Sequence, residues 1–122
     1  MHRVIHFELG AQDPARAVKF YQEVFGWQIT KWEGPQPYWL VTTGSDSKPG
    51  INGGILRNPD GGARTVNTIA VPSVEEFIAK VTAQGGQVAM PKSVIPGVGY
   101  QAYCRDTEGN IFGIHQADPN AK

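Results

Sequence analysis

The second half of this chain repeats the order of structural signals found in the first half, at a spacing of 60 residues. Asp13 and Ser73 each stand where a helix is expected to begin, and Gly26 and Gly86 each stand where a helix is expected to end. Such a repeat constrains the fold strongly, because each copy must be one supersecondary unit that cannot bury its apolar face alone. We therefore expect two similar modules in one chain.

Each half is predicted to have the element order β-α-β-β-β. Residues 3–9 alternate apolar and polar side chains, as a half-buried strand does, and residues 66–71 are β-branched and apolar. The first helix has an apolar stripe, and the second opens with a capping box. The stripe comprises Ala17, Phe20, Tyr21, Val24 and Phe25, and the capping box pairs Ser73 with Glu76. The other strands are predicted at 27–32, 38–43, 51–57, 87–90, 99–105 and 111–115.

The chain is predicted to form one domain over residues 1–122. Turn-forming residues at 58–62 mark a joint between module one, residues 1–57, and module two, residues 63–118. The fold class is therefore α+β, with two β-α-β-β-β modules forming a curved eight-stranded sheet. This sheet makes a cup with the helices outside. The segment Pro91–Gly99 is predicted to be a loop that folds over the cup mouth or a partner subunit.

Charge and cysteine content exclude several function classes. Eleven basic residues balance eleven acidic ones without clustering, which argues against binding to nucleic acid or to a membrane surface. Cys104 is the single cysteine, so neither an internal disulfide nor a cysteine-based zinc site is possible. With no apolar leader or membrane-length segment, the expected location is the cytoplasm.

Both ends of the chain resemble a known superfamily. His6, Asp13, Arg16, Phe20-Tyr21 and Gly26-Trp27 near the start, and the closing segment Asp106 to Asn110, are similar to motifs of vicinal oxygen chelate proteins. These include glyoxalase I, extradiol dioxygenases and bleomycin-resistance proteins. The segments 51–55 and 91–99 resemble a glyoxalase-related bacterial subgroup without a settled reaction. The resemblance implies the cup fold, a small-molecule ligand and a homodimer, but it does not name a reaction.

The resemblance also implies a test for a metal ion. The superfamily's metal enzymes use His or Glu from the first and last strand of each half, and the matching positions here are His6, Gly53, Val66 and Gly113. Of these, only His6 has a side chain that can bind a metal. We therefore expect no metal cofactor. An alternative is a displaced site for a divalent ion formed by His6, Glu8 and His115.

The sequence leaves three functions open. The first is a metal-independent binder or lyase/isomerase-type enzyme with Glu8 as general base and His6 beside it. Its predicted cup also contains Gly53, Thr68, Gly113 and His115 as ligand-binding residues. The second is a metal-dependent isomerase or dioxygenase using His6, Glu8 and His115. The third is a drug-sequestering protein with an open apolar cup and no catalytic group.

Overall fold

The computed structural model of the chain describes residues 2–58, 60 and 62–122, and their elements follow the predicted order. The α+β class and the two β-α-β-β-β modules are confirmed. The first module contains β1 (Val4–Ala11), α1 (Pro14–Phe25), β2 (Gln28–Lys31), β3 (Tyr38–Thr42) and β4 (Asn52–Arg57). The second contains β5 (Thr65–Ala70), α2 (Val74–Ala83), β6 (Gln87–Ile95), β7 (Gly99–Arg105) and β8 (Ile111–Ala117).

Three of the four helix ends lie where the capping residues predict them. The end of α2 does not, because its cap is Gln84 and the glycine with a positive φ, 96°, is Gly85 and not Gly86. The Asp13 carboxylate accepts a hydrogen bond from the Arg16 amide at 3.2 Å, and Pro14 opens α1. Gly26 ends α1 with φ at 72°, a left-handed conformation that glycine adopts without steric cost. The Ser73 hydroxyl accepts from the Glu76 amide at 3.2 Å and starts α2 in the same way. Local chemistry therefore fixes both helices in place.

The N-terminal unit, His6–Val66, has its own sheet and core. Its strands lie in the order β2-β3-β4-β1, with β1 and β4 parallel. Ile29, Val41 and Ile55 form the buried centre. Partly buried apolar residues from β1, β3, α1 and the segment after α1 pack around them, namely Phe7, Leu9, Ala11, Ala17, Val18, Tyr21, Trp27 and Trp39. One face of this sheet therefore packs against α1 and forms the core of the unit.

Only part of the predicted apolar stripe of α1 faces the core. Ala17 and Tyr21 pack on the core as predicted, together with Val18. Phe20, Val24 and Phe25, however, are 55%, 56% and 60% exposed. The helix is turned so that Ala17, Val18 and Tyr21 face the sheet. Phe25 instead stacks beside Trp27, with ring centroids 5.7 Å apart, so α1 presents an exposed apolar surface.

The C-terminal unit, Asn67–Lys122 with residues 2–5, has the strand order β5-β8-β7-β6. Its buried centre consists of Val71, Val74, Ala102, Cys104 and Ile114. Burial raises the pKa of the Cys104 thiol, which suits a packed side chain rather than a nucleophile. Residues 2–5 were predicted to belong to module one, but they group with this unit. Part of the predicted joint, Pro59 and Gly61, lies outside the described residues.

The segment after Met90 is a strand and not the predicted loop. β6 continues to Ile95 and pairs with β7, with two shifts of register on the way. The turn to β7 takes only residues 96–98. The prolines and glycines of 91–99 mark these irregularities and the turn, because bulges and tight turns tolerate them within a hairpin. Neither helix in the described part of the chain is long and apolar enough to cross a membrane.

Candidate functional site

Strand β1 places His6 and Glu8 on the face of the N-terminal sheet that is turned away from the core. Alternate residues of a strand point to opposite faces, and Phe7 and Leu9 occupy the core face. His6 and Glu8 are both partly buried. We call their side of the sheet the polar face, and it also carries Tyr38 from β3 and Gly54 from β4. The prediction that His6 and Glu8 share a face is confirmed.

The Tyr38 hydroxyl joins His6 and Glu8. It donates a hydrogen bond to Glu8 Oε2 at 3.0 Å and lies 2.8 Å from His6 Nε2. Because the single phenol proton is used toward Glu8, the hydrogen bond with His6 requires His6 Nε2 to be the donor. Burial lowers the pKa of His6, and the Glu8 carboxylate partly opposes this effect. The three side chains therefore form a hydrogen-bonded acid–base group, the His6–Tyr38–Glu8 group.

Gly53 does not share this face, which corrects its predicted placement. Gly53 is the Cα partner of Phe7, and a Cβ at Gly53 would overlap the Phe7 carbonyl oxygen and approach the Phe7 ring to 2.6 Å. Gly54 is the Cα partner of Glu8, and a Cβ there would overlap the Tyr38 phenol. The glycine that leaves space beside His6 and Glu8 is therefore Gly54. At β4 the spacing between the two halves is therefore one residue less than 60, because Gly54 and not Gly53 corresponds to Gly113.

The C-terminal unit carries a second polar set on one face of its sheet. Thr68 and Gly113 are Cα partners, and a Cβ at Gly113 would lie 2.7 Å from the Thr68 hydroxyl oxygen and 2.8 Å from Gln101 Nε2. Gln101 Oε1 lies 2.8 Å from His115 Nδ1, which therefore donates to it, and Gln101 Nε2 lies 3.5 Å from Thr68 Oγ1. The structure thus brings Thr68, Gly113 and His115 together as predicted.

The sequence alone did not single out Gln101 or Tyr38. Gln101 and Thr68 are both buried, and burying polar groups is costly unless they are hydrogen-bonded. Here they serve to hold one imidazole. Gln101 could have been recognised from the sequence, because it is a polar residue in a mostly apolar strand. No local signal marked Tyr38, because its role depends on which strands are neighbours.

A cavity of about 300 Å³ lies within the C-terminal unit beside His115. Its wall is mainly apolar, and His2 and His115 are the two titratable residues in it. The full lining consists of His2, Ile5, Ala70, Val71, Pro72, His115 and Ala117. The volume is at the lower end of the range of small-molecule sites.

The chain lacks most of the residues that bind a metal ion in the metal enzymes of the superfamily that it resembles. With Gly54 in place of Gly53, the matching positions hold one histidine, two glycines and a valine. Within residues 2–58, 60 and 62–122, no three His, Cys, Asp or Glu side chains are grouped so that they could hold a metal ion. His6 and Glu8 are instead held by Tyr38, and His115 by Gln101.

The lowered pKa of His6 predicts how stability depends on pH. The unfolded state takes up a proton on His6 near the ordinary pKa of about 6.5, whereas the folded state does so only at lower pH. The free energy of unfolding should therefore fall as pH decreases through about 6.5, until the lowered pKa is passed. Urea unfolding between about pH 5 and pH 7.5 should show this slope reduced in His6→Gln. Exposed His2→Gln is the matched control, and an unchanged slope in His6→Gln would contradict the assignment.

Comparison with protein families gives a match over nearly the whole chain. Residues 3–114 match the family model of the Glyoxalase/Bleomycin resistance protein/Dioxygenase superfamily. Two curated relatives, one from Mycobacterium bovis and one from Mycobacterium tuberculosis, bear the provisional name glyoxylase CFP32. Each is 32% identical over 117 residues, which cover 91% of this chain and 44% of the relative. The chain thus spans less than half the length of these relatives.

Solved structures share the fold at low sequence identity. A hypothetical protein from Bacillus halodurans C-125 has a TM-score of 0.73 at 16% identity and covers 99% of this chain and 98% of its own. Methylmalonyl-CoA epimerase from Mycobacterium tuberculosis has a TM-score of 0.69 at 11% identity, covering 95% and 88%. At these identities the likeness concerns the fold alone.

Proposed function

Because the chain belongs to the Glyoxalase/Bleomycin resistance protein/Dioxygenase superfamily, we propose that it binds a small organic molecule and acts on it by acid–base chemistry without a metal ion. The observation that carries this proposal is the Tyr38 hydroxyl between His6 and Glu8. A carboxylate held in one orientation beside an imidazole is a suitable general base. The name glyoxylase, borne by the two curated relatives, supports a reaction of the isomerase or lyase type.

The substrate class that fits is a small carbonyl compound with a hydrogen on the adjacent carbon. The Glu8 carboxylate removes that proton, so a C–H bond breaks and an O–H bond forms. The electron pair moves onto the carbonyl oxygen as an enolate. Return of that proton from Glu8 to the same face regenerates the substrate. Delivery of a proton from solvent to the opposite face of the carbon gives the epimer, and Glu8 then releases its proton to solvent and is restored as the carboxylate. The step needs no oxidant and no further reactant, and general-base catalysis of this kind contributes about 100- to 10,000-fold in rate.

The test is proton exchange with solvent. Carbonyl compounds that raise the melting temperature would be incubated with the protein in deuterium oxide, and deuterium on the adjacent carbon would be measured by NMR. We expect wild type to catalyse exchange and Glu8→Gln to lose at least about 100-fold of that rate. Exposed Glu23→Gln, on α1, is the matched control. Exchange that continues unchanged in Glu8→Gln would refute Glu8 as the base.

The two other functions give different results in the same experiments. A sequestering protein would bind ligands equally well in wild type and Glu8→Gln and would catalyse no exchange in either. A metal enzyme using His6, Glu8 and His115 would carry about one tightly held ion per chain by elemental analysis, and a chelator would lower its stability. We expect less than stoichiometric zinc, nickel, iron or manganese, because the superfamily's ligand positions hold Gly54, Val66 and Gly113.

We further propose that the protein is a cytoplasmic homodimer. The exposed apolar residues Phe20, Val24 and Phe25 of α1 support this assembly, because apolar residues clustered on a surface commonly mark an interface. Sedimentation at micromolar protein concentration would give twice the mass of the chain, and a monomer would count against the proposal.

A further inference from the structure

Tyr38 reaches Glu8 by lying across a neighbouring strand. The sheet order places β4 between β3, which carries Tyr38, and β1, which carries His6 and Glu8. Adjacent strands are about 4.8 Å apart, so β3 and β1 are separated by roughly twice that distance. A tyrosine can bridge this gap only if its ring extends over the backbone of the middle strand.

Gly54 is the residue of the middle strand over which the ring passes. It pairs with Glu8 on β1 and with Leu40 on β3. A Cβ on Gly54 would overlap the hydroxyl oxygen of Tyr38 and its ring atoms Cζ and Cε1. Gly54 does not have a positive φ angle, so the backbone itself would accept another residue. Glycine is required here by the space that the phenol occupies.

On the basis of the proposed function, we propose that Tyr38 is a positioning residue that orients the Glu8 carboxylate and keeps a proton on His6 Nε2, and that Gly54 is the residue that makes room for it. The phenol proton can be donated once, and it is donated to Glu8 Oε2. The phenol oxygen then accepts from His6 Nε2 at 2.8 Å. Tyr38 thereby fixes the tautomer of His6 and one carboxylate oxygen of Glu8.

This arrangement excludes a metal-binding side chain at the same position. A side chain on residue 54 would begin in the volume filled by the Tyr38 hydroxyl and ring. The first half of the chain therefore has a phenol from β3 where the resembling metal enzymes have a ligand from the last strand of the module. A bridging Tyr38 and a carboxylate at position 54 cannot be present together without displacement of one of them.

The primary test is the imidazole Hε2 signal of His6 in nitrogen-labelled protein at about pH 8, where a histidine of ordinary or lowered pKa is neutral. In wild type, the hydrogen bond to Tyr38 should protect this proton from exchange with water and give a resolved signal. Tyr38→Phe and Gly54→Ala should both lose the signal. Gly44→Ala is the matched control and should keep it, because no described atom lies within 4 Å of a Cβ at Gly44.

A double variant separates positioning from general damage to the fold. Tyr38→Ser removes the ring, so an alanine at position 54 no longer meets it. Adding Gly54→Ala to Tyr38→Ser should change neither the melting temperature nor the His6 spectrum further, since the two effects act through one contact. The proposal is overturned if Gly54→Ala alone keeps the Hε2 signal. It is also overturned if adding Gly54→Ala lowers the melting temperature of the Tyr38→Ser protein as much as it lowers that of wild type.

Activity provides the second readout. Tyr38→Phe should lower the deuterium-exchange rate by about 10- to 100-fold through misplacement of Glu8 while the base itself remains. Gly54→Ala should match it. The Hε2 signal requires no substrate, so it can confirm the positioning role even if no compound exchanges. A lack of exchange would count against the proposed function but not against the positioning of His6 by Tyr38. A wild-type exchange rate in Tyr38→Phe would overturn the positioning role for catalysis.

Discussion

Gly53→Ala is expected to lower the free energy of unfolding by about 3 kcal/mol and the melting temperature by roughly 10 °C. The new methyl group would be directed at the carbonyl oxygen of Phe7 and at the Phe7 ring. The carbonyl belongs to β1, which is paired with β4 at this point, so it cannot move without disturbing the pairing. Denaturant and thermal unfolding of the variant measure the loss.

The control for this variant is Gly44→Ala, which introduces the same methyl group with no described atom within 4 Å. It should change the free energy of unfolding by no more than about 0.5 kcal/mol. If Gly53→Ala is as mild as the control, Gly53 does not face Phe7 and the core. The original placement of Gly53 beside His6 and Glu8 would then have to be restored.

Ile55→Ala should destabilise the N-terminal unit by about 4 kcal/mol. Ile55 is 0% exposed and lies at the centre of a cluster with Ile29 and Val41, so truncation removes buried methyl groups and leaves a cavity between strands that cannot close. Ile51→Ala, at a position 36% exposed, is the matched control and should cost about 1 kcal/mol or less. Equal losses in the two variants would contradict the assignment of Ile55 to the core.

The elements that could be predicted from the sequence are those specified by local chemistry. Asp13, Gly26 and Ser73 act on the backbone within a few residues, and each marks a helix end in the structure as predicted. Strand β1 could be predicted from its alternation because its two faces have different environments. His6 and Glu8 were correctly grouped for the same reason.

The parts that could not be predicted depend on relations between strands. The alternation within β4 does not show that Gly54, rather than Gly53, pairs with Glu8, because both neighbours are glycine and offer no apolar or polar contrast. The bridging role of Tyr38 depends on the order β3-β4-β1, which the sequence does not encode locally. The exposure of Phe20, Val24 and Phe25 could not be predicted, because the apolar stripe of a helix does not show which of its residues face a sheet.

The pairing of Glu8 with Gly54 and of Thr68 with Gly113 has an evolutionary consequence. The first half contains one residue more than the second between these paired positions. If the halves descend from one duplicated gene, this single-codon difference cannot have been retained within a regular, unbulged strand, because it would have turned every later side chain of that strand to the opposite face. The insertion or deletion must have been absorbed in a turn, in a helix or in a bulge such as those of β6. Ancestral reconstruction of either half should therefore align each pair of equivalent strands separately, and should not assume one constant spacing between the two halves.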